Sequence, residues 1–229
     1  SVVVVVLVLE VVILLTQFAV AGLIGKRNPL KALWTMMPAY TTALGTSSSA
    51  ATIPVTLRQT RKNGVSAPVA AFTVPLCATI HLAGSTSKIT AFSLAIIASQ
   101  GMNVSAMQYA GFIFMLGIVM VAAPGVPGGA IMAATGVLSS MLGFNESAIA
   151  LMIATYIALD PFGTATNVTG DGAIAIVIDR LAHGKFNDAK ADPENARELS
   201  FDGMAYLDKV SVEGVVTDED RALSQQLGA

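Results

Sequence analysis

The chain has 229 residues, of which 54% are hydrophobic and only 12% are charged; its net charge is −2 and its mean hydropathy is +0.68. Soluble domains carry about 25% charged side chains, so the composition excludes an ordinary soluble domain and favours a membrane protein. The lack of a basic surplus excludes nucleic acid as a partner, and the single Cys77 excludes an internal disulfide bond.

The first predicted element is an apolar helix over residues 2–25, which hold one charged residue in 24 positions. This length is sufficient to cross about 30 Å of hydrocarbon. No basic segment precedes it and no clear cleavage site follows it, so it does not fit a signal peptide. Because the sequence does not begin with methionine, we expect a longer natural chain.

Basic residues flank both ends of the next apolar segment, residues 32–57. By the positive-inside rule both ends lie on the cytoplasmic side, so this segment does not cross the membrane. Its middle, "GTSSSAATIP" at 45–54, interrupts the apolar run and leaves two arms too short to span. The pattern predicts a re-entrant hairpin over residues 32–62.

Three further segments follow the same logic. Residues 66–99 predict a membrane-crossing helix broken at "HLAGSTSK", and 147–182 predict a broken helix that returns inward. Between them, residues 106–142 lack basic flanks and are broken by "APGVPGG" at 123–129, which predicts a second hairpin entered from outside. Residues 184–229 are acidic and predict a cytoplasmic tail.

Together these elements predict an all-α membrane protein built as an inverted repeat of two re-entrant helical hairpins and two broken transmembrane helices. Such a repeat of segments interrupted by glycine and proline is typical of secondary transporters with a binding site near the membrane midplane. The alternative is an ordinary bundle of kinked helices, since glycine and proline are common in membrane helices. Four interruptions at corresponding places favour the transporter.

The two hairpin tips differ in chemistry. Ser47, Ser48 and Ser49, with their backbone N–H groups, are suited to hold a carboxylate; alternatively, these serines bond back to helix carbonyls. The glycines and prolines of "APGVPGG" suit a flexible gate that closes over a substrate. The alternative is a tight turn without a gating role.

Two aspartates lie in the last apolar segment, where a charge costs about 2.5 to 3.5 kcal/mol on insertion scales. They are about 16 Å apart along a helix, too far to share one ion. Asp160, with Thr164 and Asn167 on the same face, is suited to pair with a substrate ammonium. Asp171 is suited to ligate a hard cation together with carbonyls near Asn167 and His81.

Two further side chains lie in the break of the first broken helix. Lys88 either reaches an interface, pairs with a carboxylate or faces the substrate. His81 is most simply a satisfied structural group, and a role in proton coupling is the alternative, because histidine is the side chain that changes charge nearest neutral pH.

Five motifs stand in the order, and at approximately the spacing, of the dicarboxylate/amino acid:cation symporter family, which includes the glutamate transporters. They are "TSSSAATIPVTLR", "NGVS", "PLCATIHLAGS", "GVPGGAIM" and "DPFGTATNVTGD". Residues 1 to about 185 resemble this family. The resemblance implies a plasma-membrane homotrimer with elevator-like movement, in which residues 1–25 are the last scaffold helix and 26–183 the transport domain.

The resemblance also implies roles for individual residues. In substrate binding, Asp160 would hold the amino group, and Ser48 and Ser49 the carboxylate. The other implied substrate-binding residues are Gly125 and Val126 in the gate, Thr164, Asn167 and, as an alternative, Lys88. The resemblance implies that Asp171 binds sodium and that Asn167, His81 and Thr79 contribute to sodium binding, partly through backbone carbonyls.

The departures from the family pattern bear on the substrate. The break that reads Asn-Met-Asp-Gly in the acidic-substrate members has His81, Leu82 and Ala83 here, so one sodium site is expected to be lost. Gly163 stands where those members have an arginine, which removes the bidentate partner of a side-chain carboxylate. We therefore expect a small neutral substrate. In the alternative, Lys88 replaces the arginine and an acidic amino acid or dicarboxylate binds.

The sequence therefore predicts a secondary active symporter that takes up an amino acid with sodium, or alternatively with protons. A membrane receptor without coupled flux is a more distant hypothesis. An intramembrane enzyme is disfavoured, because the apolar region contains no Ser-His pair, paired histidine ligands or glycine-flanked nucleophile.

Overall fold

A computed structural model describes residues 2–182, in which there are ten α-helices and no strand. The helices are α1 (Val2–Gly25), α2 (Pro29–Thr35), α3 (Met37–Thr46), α4 (Ser49–Lys62), α5 (Ala67–Ile80), α6 (Ala83–Gln100), α7 (Ala106–Met120), α8 (Gly129–Leu142), α9 (Glu146–Ala158) and α10 (Asp160–Leu181). The predicted all-helical class is confirmed. The predicted acidic tail, residues 184–229, lies outside the described residues.

Helices α3 and α4 pack against each other as a helical hairpin whose tip is only two residues long. Ser47 ends α3 by adopting a left-handed conformation with φ 49°, and its N–H bonds to the carbonyl of Ala43. Ser48 is extended and its hydroxyl accepts the N–H of Ala51 at 3.2 Å, so it is the N-cap of α4. The polar run that interrupts the sequence is therefore the tip of the first hairpin.

Helices α7 and α8 form the second hairpin, with a longer tip over residues 121–128. This tip contains Pro124 and Pro127, which have no N–H to continue a helix. Gly128 then turns the chain with φ 71°, in the left-handed region that favours glycine, and α8 begins at the next residue. That the two hairpins are re-entrant remains a prediction, as does their orientation in the membrane.

The other two long segments are broken helices. α5 and α6 are separated by His81 and Leu82, and α9 and α10 meet at Leu159 with a bend of 61°. By length and composition, two helical segments of the described residues are able to cross a membrane, and the bent α9–α10 pair makes a third if it counts as one span.

Helix α10 lies at the centre of the described residues and contacts α1, α3, α4, α5 and α6. One apolar cluster joins α6, α7, α8 and α9, with Phe112, Leu116 and Met152 fully buried in it. A second cluster joins α1, α3, α5 and α10 around Phe18 and Val168. α1 packs along α10 and α6; its assignment to a scaffold remains a prediction.

Candidate functional site

The polar stretch of α10 is buried in the protein. Asp160, Thr164, Asn167 and Asp171 all lie on this helix, which runs without a break through the stretch. Pro161, at the start of α10, suits a helix start because its missing N–H would have had no partner there. The buried carboxylates need compensating partners, because ionised groups are costly in the membrane interior.

The first of these carboxylates, Asp160, is bonded through both oxygens. Oδ1 lies 3.3 Å from Nζ of Lys88, and Oδ2 accepts the backbone N–H of Gly128 at 2.8 Å. Lys88 comes from α6, and Gly128 comes from the tip of the second hairpin. Asp160 therefore joins a broken helix to the proposed gate.

The Lys88 side chain has no exposed surface. Its Nζ donates to the Leu159 carbonyl at 3.1 Å and lies 4.1 Å from the centroid of the Tyr156 ring, a distance typical of a cation–π contact. A Cβ built on Gly163 would overlap this side chain and lie 2.6 Å from its Nζ. The Lys88 amine thus occupies the space beside Gly163.

The two hairpin tips contact each other directly. The carbonyl of Gly125 accepts the Ser48 hydroxyl at 3.0 Å and the N–H of Ala50 at 3.1 Å. Beside this contact is a small cavity with about 10 Å³ of room, enough for roughly one water molecule. Its lining includes Ser49, Gly125, Val126, Asp160, Thr164 and Asn167.

The second carboxylate, Asp171, is bonded to an imidazole. Its Oδ1 lies 2.8 Å from Nδ1 of His81, and Nε2 of His81 lies 2.9 Å from the amide nitrogen of Gln17 on α1. With the amide so oriented, Gln17 donates to Nε2, and the neutral ring donates its Nδ1–H to Asp171. This chain of side chains joins α1, the break between α5 and α6, and α10.

Asn167 lies between the two aspartates and binds the start of α6. Its Oδ1 accepts the N–H groups of Gly84 at 2.8 Å and Ser85 at 3.4 Å, and its Nδ2 donates to the Ser85 hydroxyl at 3.0 Å. The amide thereby satisfies N–H groups that have no partner within the first turn of α6.

Thr79 is not brought to these residues. Its side chain is exposed, and its hydroxyl donates to the carbonyl of Leu76 in its own helix at 2.9 Å. The structure thus gathers one set of predicted residues around a single cavity: Ser49, Gly125, Val126, Asp160, Thr164 and Asn167. Ser48 is bonded to Gly125, and Lys88 lies against Asp160. It joins His81 to Asp171 separately.

Sequence reasoning assigned no role to Gln17, Tyr156 or Glu10. Gln17 and Glu10 are polar residues in a predominantly apolar helix. This contrast with their neighbours could have indicated that both side chains have buried contacts. Tyr156 precedes Asp160 by four residues, but the bend at Leu159 separates the two helices and hides their proximity in a helical pattern. A polar residue alone on an apolar helix marks a buried contact.

Comparison with known proteins adds independent information. The model of the sodium:dicarboxylate symporter family matches residues 1–181. Excitatory amino acid transporter 4 of Mus musculus is 32% identical over 163 residues, covering 70% of this chain and 28% of that protein. Excitatory amino acid transporter 1 of Homo sapiens is 29% identical over 175 residues, covering 76% of this chain and 32% of that protein.

Excitatory amino acid transporter 3 of Mus musculus is 31% identical over 161 residues, which cover 70% of this chain. The chain spans about a third of the length of the relatives it matches.

Proposed function

The chain belongs to the sodium:dicarboxylate symporter family, and from this premise we propose that it is part of a sodium-coupled transporter for an acidic amino acid. Membership places it among membrane transporters rather than enzymes. The observation that carries the proposal is the position of Lys88, whose amine fills the space beside Gly163 and pairs with Asp160. A fixed cation lies where a substrate's second carboxylate needs one.

Binding of an acidic amino acid conserves charge pairing at this site. The substrate ammonium pairs with Asp160, and the Lys88 amine then pairs with the side-chain carboxylate of the substrate instead of Asp160. Ser48, Ser49 and the N–H groups at the first hairpin tip hold the α-carboxylate. Asp160 and Lys88 then each keep a partner of opposite sign, and the α-carboxylate is held by neutral hydroxyl and N–H donors.

A small neutral amino acid is the second candidate, and Gly163 favours it because the family's arginine is missing there. Its ammonium would compete with Lys88 for Asp160. Because its single carboxylate is held at the first hairpin tip, the buried lysine would have no counterion, which is costly. A dicarboxylate without an amino group would leave the ion pair in place and bring two further negative charges. The acidic amino acid supplies an ammonium for Asp160 and a second carboxylate for Lys88, and the coupled cation offsets the net negative charge that it brings.

We propose sodium as the coupled ion, and the sodium is cargo of the transport cycle. Asp171 supplies the carboxylate of the proposed site, and Asn167 and His81 contribute partly through backbone carbonyls. Thr79 lies apart from them, because its exposed hydroxyl bonds to the Leu76 carbonyl in its own helix. The His81 contact to Asp171 supports the alternative of proton coupling. Uptake that follows a sodium gradient at constant pH favours sodium, whereas uptake that follows the pH gradient alone favours the proton.

The remaining features of the proposal come from the family. We propose that the two hairpins are re-entrant, with the second acting as the gate, and that the full protein is a homotrimer in the plasma membrane. The contact between the two tips supports the gate, because substrate entry requires the Ser48–Gly125 bond to open.

Calorimetric titration of the purified full-length protein tests the substrate. L-aspartate, L-glutamate, succinate and L-serine are compared with and without sodium. We expect the acidic amino acids to bind more tightly than succinate or serine. Tighter binding of serine would replace the proposal by the neutral candidate.

The variant Lys88→Met tests the role proposed for Lys88 in binding the substrate. We expect about a thirtyfold or larger loss of affinity for aspartate, because truncating one partner of a buried charge pair costs about 2–5 kcal/mol. Affinity for serine should not fall. Lys62→Met is the matched control, since Lys62 is exposed at the end of α4. An unchanged aspartate affinity in Lys88→Met would contradict the assigned role.

A further inference from the structure

Glu10 is a buried carboxylate on the most apolar helix of the described residues. It stands among valines and leucines on α1, yet its residue surface is only 3% exposed, so it faces the protein rather than lipid. Its Oε1 accepts the Ser87 hydroxyl at 3.3 Å. Its Oε2 is buried without a hydrogen-bond partner among the described residues. A carboxylate so placed requires compensation that these side chains do not supply.

Other oxygen atoms surround the same point. The Thr166 hydroxyl faces Glu10 and is itself buried without a partner among residues 2–182. A Cβ built on Gly84 would lie 2.7 Å from Glu10 Oε2 and 2.5 Å from the Gly163 carbonyl oxygen. The missing side chain of Gly84 therefore lets α1, α6 and α10 bring a carboxylate, two hydroxyls and a carbonyl together.

Lys88 forms its direct ion pair with Asp160 rather than with Glu10. Its Nζ is bonded to Leu159 and Asp160, and the ion pair it forms is with Asp160. Lys88 and Asp160 cancel one another, so an ionised Glu10 adds one uncancelled negative charge. A single monovalent cation restores neutrality, whereas a divalent ion would leave a buried positive charge.

We infer that Glu10, Ser87 and Thr166, with the Gly163 carbonyl, form a binding site for a monovalent hard cation, of which sodium is the probe. Hard cations take oxygen ligands, and this cluster supplies only oxygen. The inference rests on the proposed function in one respect, since it adds a second place for the coupled ion. The site is separate from Asp171, which lies more than a helical turn further along α10 and is bonded to His81.

Sodium-dependent thermal stability of the purified full-length protein tests the site without any transport step. Melting temperatures are measured across a titration of sodium chloride, with choline chloride holding the ionic strength constant. An ion that binds only the folded protein raises the melting temperature. We expect the half-saturating sodium concentration to rise about tenfold or more in Glu10→Gln, since even outer partners of metal ligands change affinity by about 10–100-fold.

Glu146→Gln is the matched control, because Glu146 is exposed at the start of α9 and the substitution is chemically identical. It should titrate as the wild type does. If Glu10→Gln also titrates as the wild type does, Glu10 holds a proton instead of a cation and the inference is overturned. A wild type without any sodium response overturns it as well.

If Glu10→Gln does not fold, Thr166→Val tests the cation site instead. Valine has nearly the same shape as threonine and lacks only the hydroxyl oxygen. A rise in the half-saturating sodium concentration supports the site, and an unchanged titration overturns it. Uptake into proteoliposomes is measured separately. Failure of sodium-driven uptake with an intact Glu10-dependent sodium response would contradict the proposed function and leave the cation site standing.

Discussion

The two aspartates of α10 occupy the same buried helix but have different partners. Asp160 faces the amine of Lys88 and also the N–H of Gly128 in the second hairpin tip. Asp171 faces the imidazole of His81, which is in turn held by Gln17 of α1. The identity of the partner, rather than burial alone, therefore distinguishes the two sites. One aspartate is joined to the second hairpin tip, and the other is joined through His81 to the long helix α1.

Replacing Asp160 should reduce the stability of the protein more than replacing Asp171. Asp160→Asn leaves Lys88 buried without its counterion, and breaking a buried pair by removing one partner costs about 3–5 kcal/mol of the free energy of unfolding. Thermal melting in detergent measures the loss. Amino acid binding should also disappear.

The third aspartate of α10 provides the control for this change. Asp179 pairs with Arg27 at 3.3 Å and remains partly exposed, so Asp179→Asn should cost about 0–1 kcal/mol. In the double variant Lys88→Met/Asp160→Asn, much of the lost stability should return, because no charge is left unpaired. A double variant less stable than Asp160→Asn would contradict the charge-pair explanation.

Replacing Asp171 should have an intermediate effect. Asp171→Asn removes a hydrogen bond to a charged group, worth about 1.5–3 kcal/mol, but leaves a neutral imidazole rather than a buried charge. We expect weaker sodium dependence with substrate affinity at saturating sodium nearly unchanged. A loss of stability equal to that of Asp160→Asn would remove the distinction between the sites.

A side chain at position 163 should act on the Asp160 site alone. Gly163→Ala introduces a Cβ into the Lys88 side chain, and overpacking of this kind costs about 1–3 kcal/mol. Aspartate affinity should fall with it, as titration calorimetry will show. Gly136→Ala on α8 is the control, since a Cβ there meets nothing within 4 Å; it should stabilise by about 0.5–1 kcal/mol.

The smallest effect is expected at the first hairpin tip. Ser48→Ala removes an N-cap, which costs about 1 kcal/mol, and also the bond from the Ser48 hydroxyl to Gly125. Ser105→Ala removes an equivalent N-cap, at the start of α7, without a contact between tips. Both variants should lose similar stability, but only Ser48→Ala should make the second tip more accessible to a cysteine reagent after Val126→Cys. Equal labelling of the two would contradict the tip contact.

The positions of the two hairpin tips were predictable, because these interruptions have strong local signals, whereas the short helix α2 and the break at Met36 were not predicted. The serine run and "APGVPGG" both became hairpin tips. The fourth break was not placed from the polar stretch, because buried glycines and threonines continue α10 while the chain bends at Leu159.

The partners of the buried groups were less predictable than the elements. The sequence left three alternatives for Lys88, which were an interface, a carboxylate and the substrate, and the structure pairs it with the Asp160 carboxylate. His81 meets Gln17 across 64 positions of sequence, and Asn167 meets the start of α6 across 83. Those pairings depend on how the helices pack against each other, and a local sequence pattern does not predict that packing.

The double bonding of Asp160 has a consequence for affinity. A ligand with an ammonium group reaches this carboxylate only by exchange, since Lys88 and Gly128 already occupy its two oxygens. The measured affinity is then the intrinsic affinity reduced by the fraction of molecules in which Asp160 is vacant. Affinity for an ammonium group at Asp160 therefore depends on how readily Lys88 and Gly128 give up their bonds to this carboxylate.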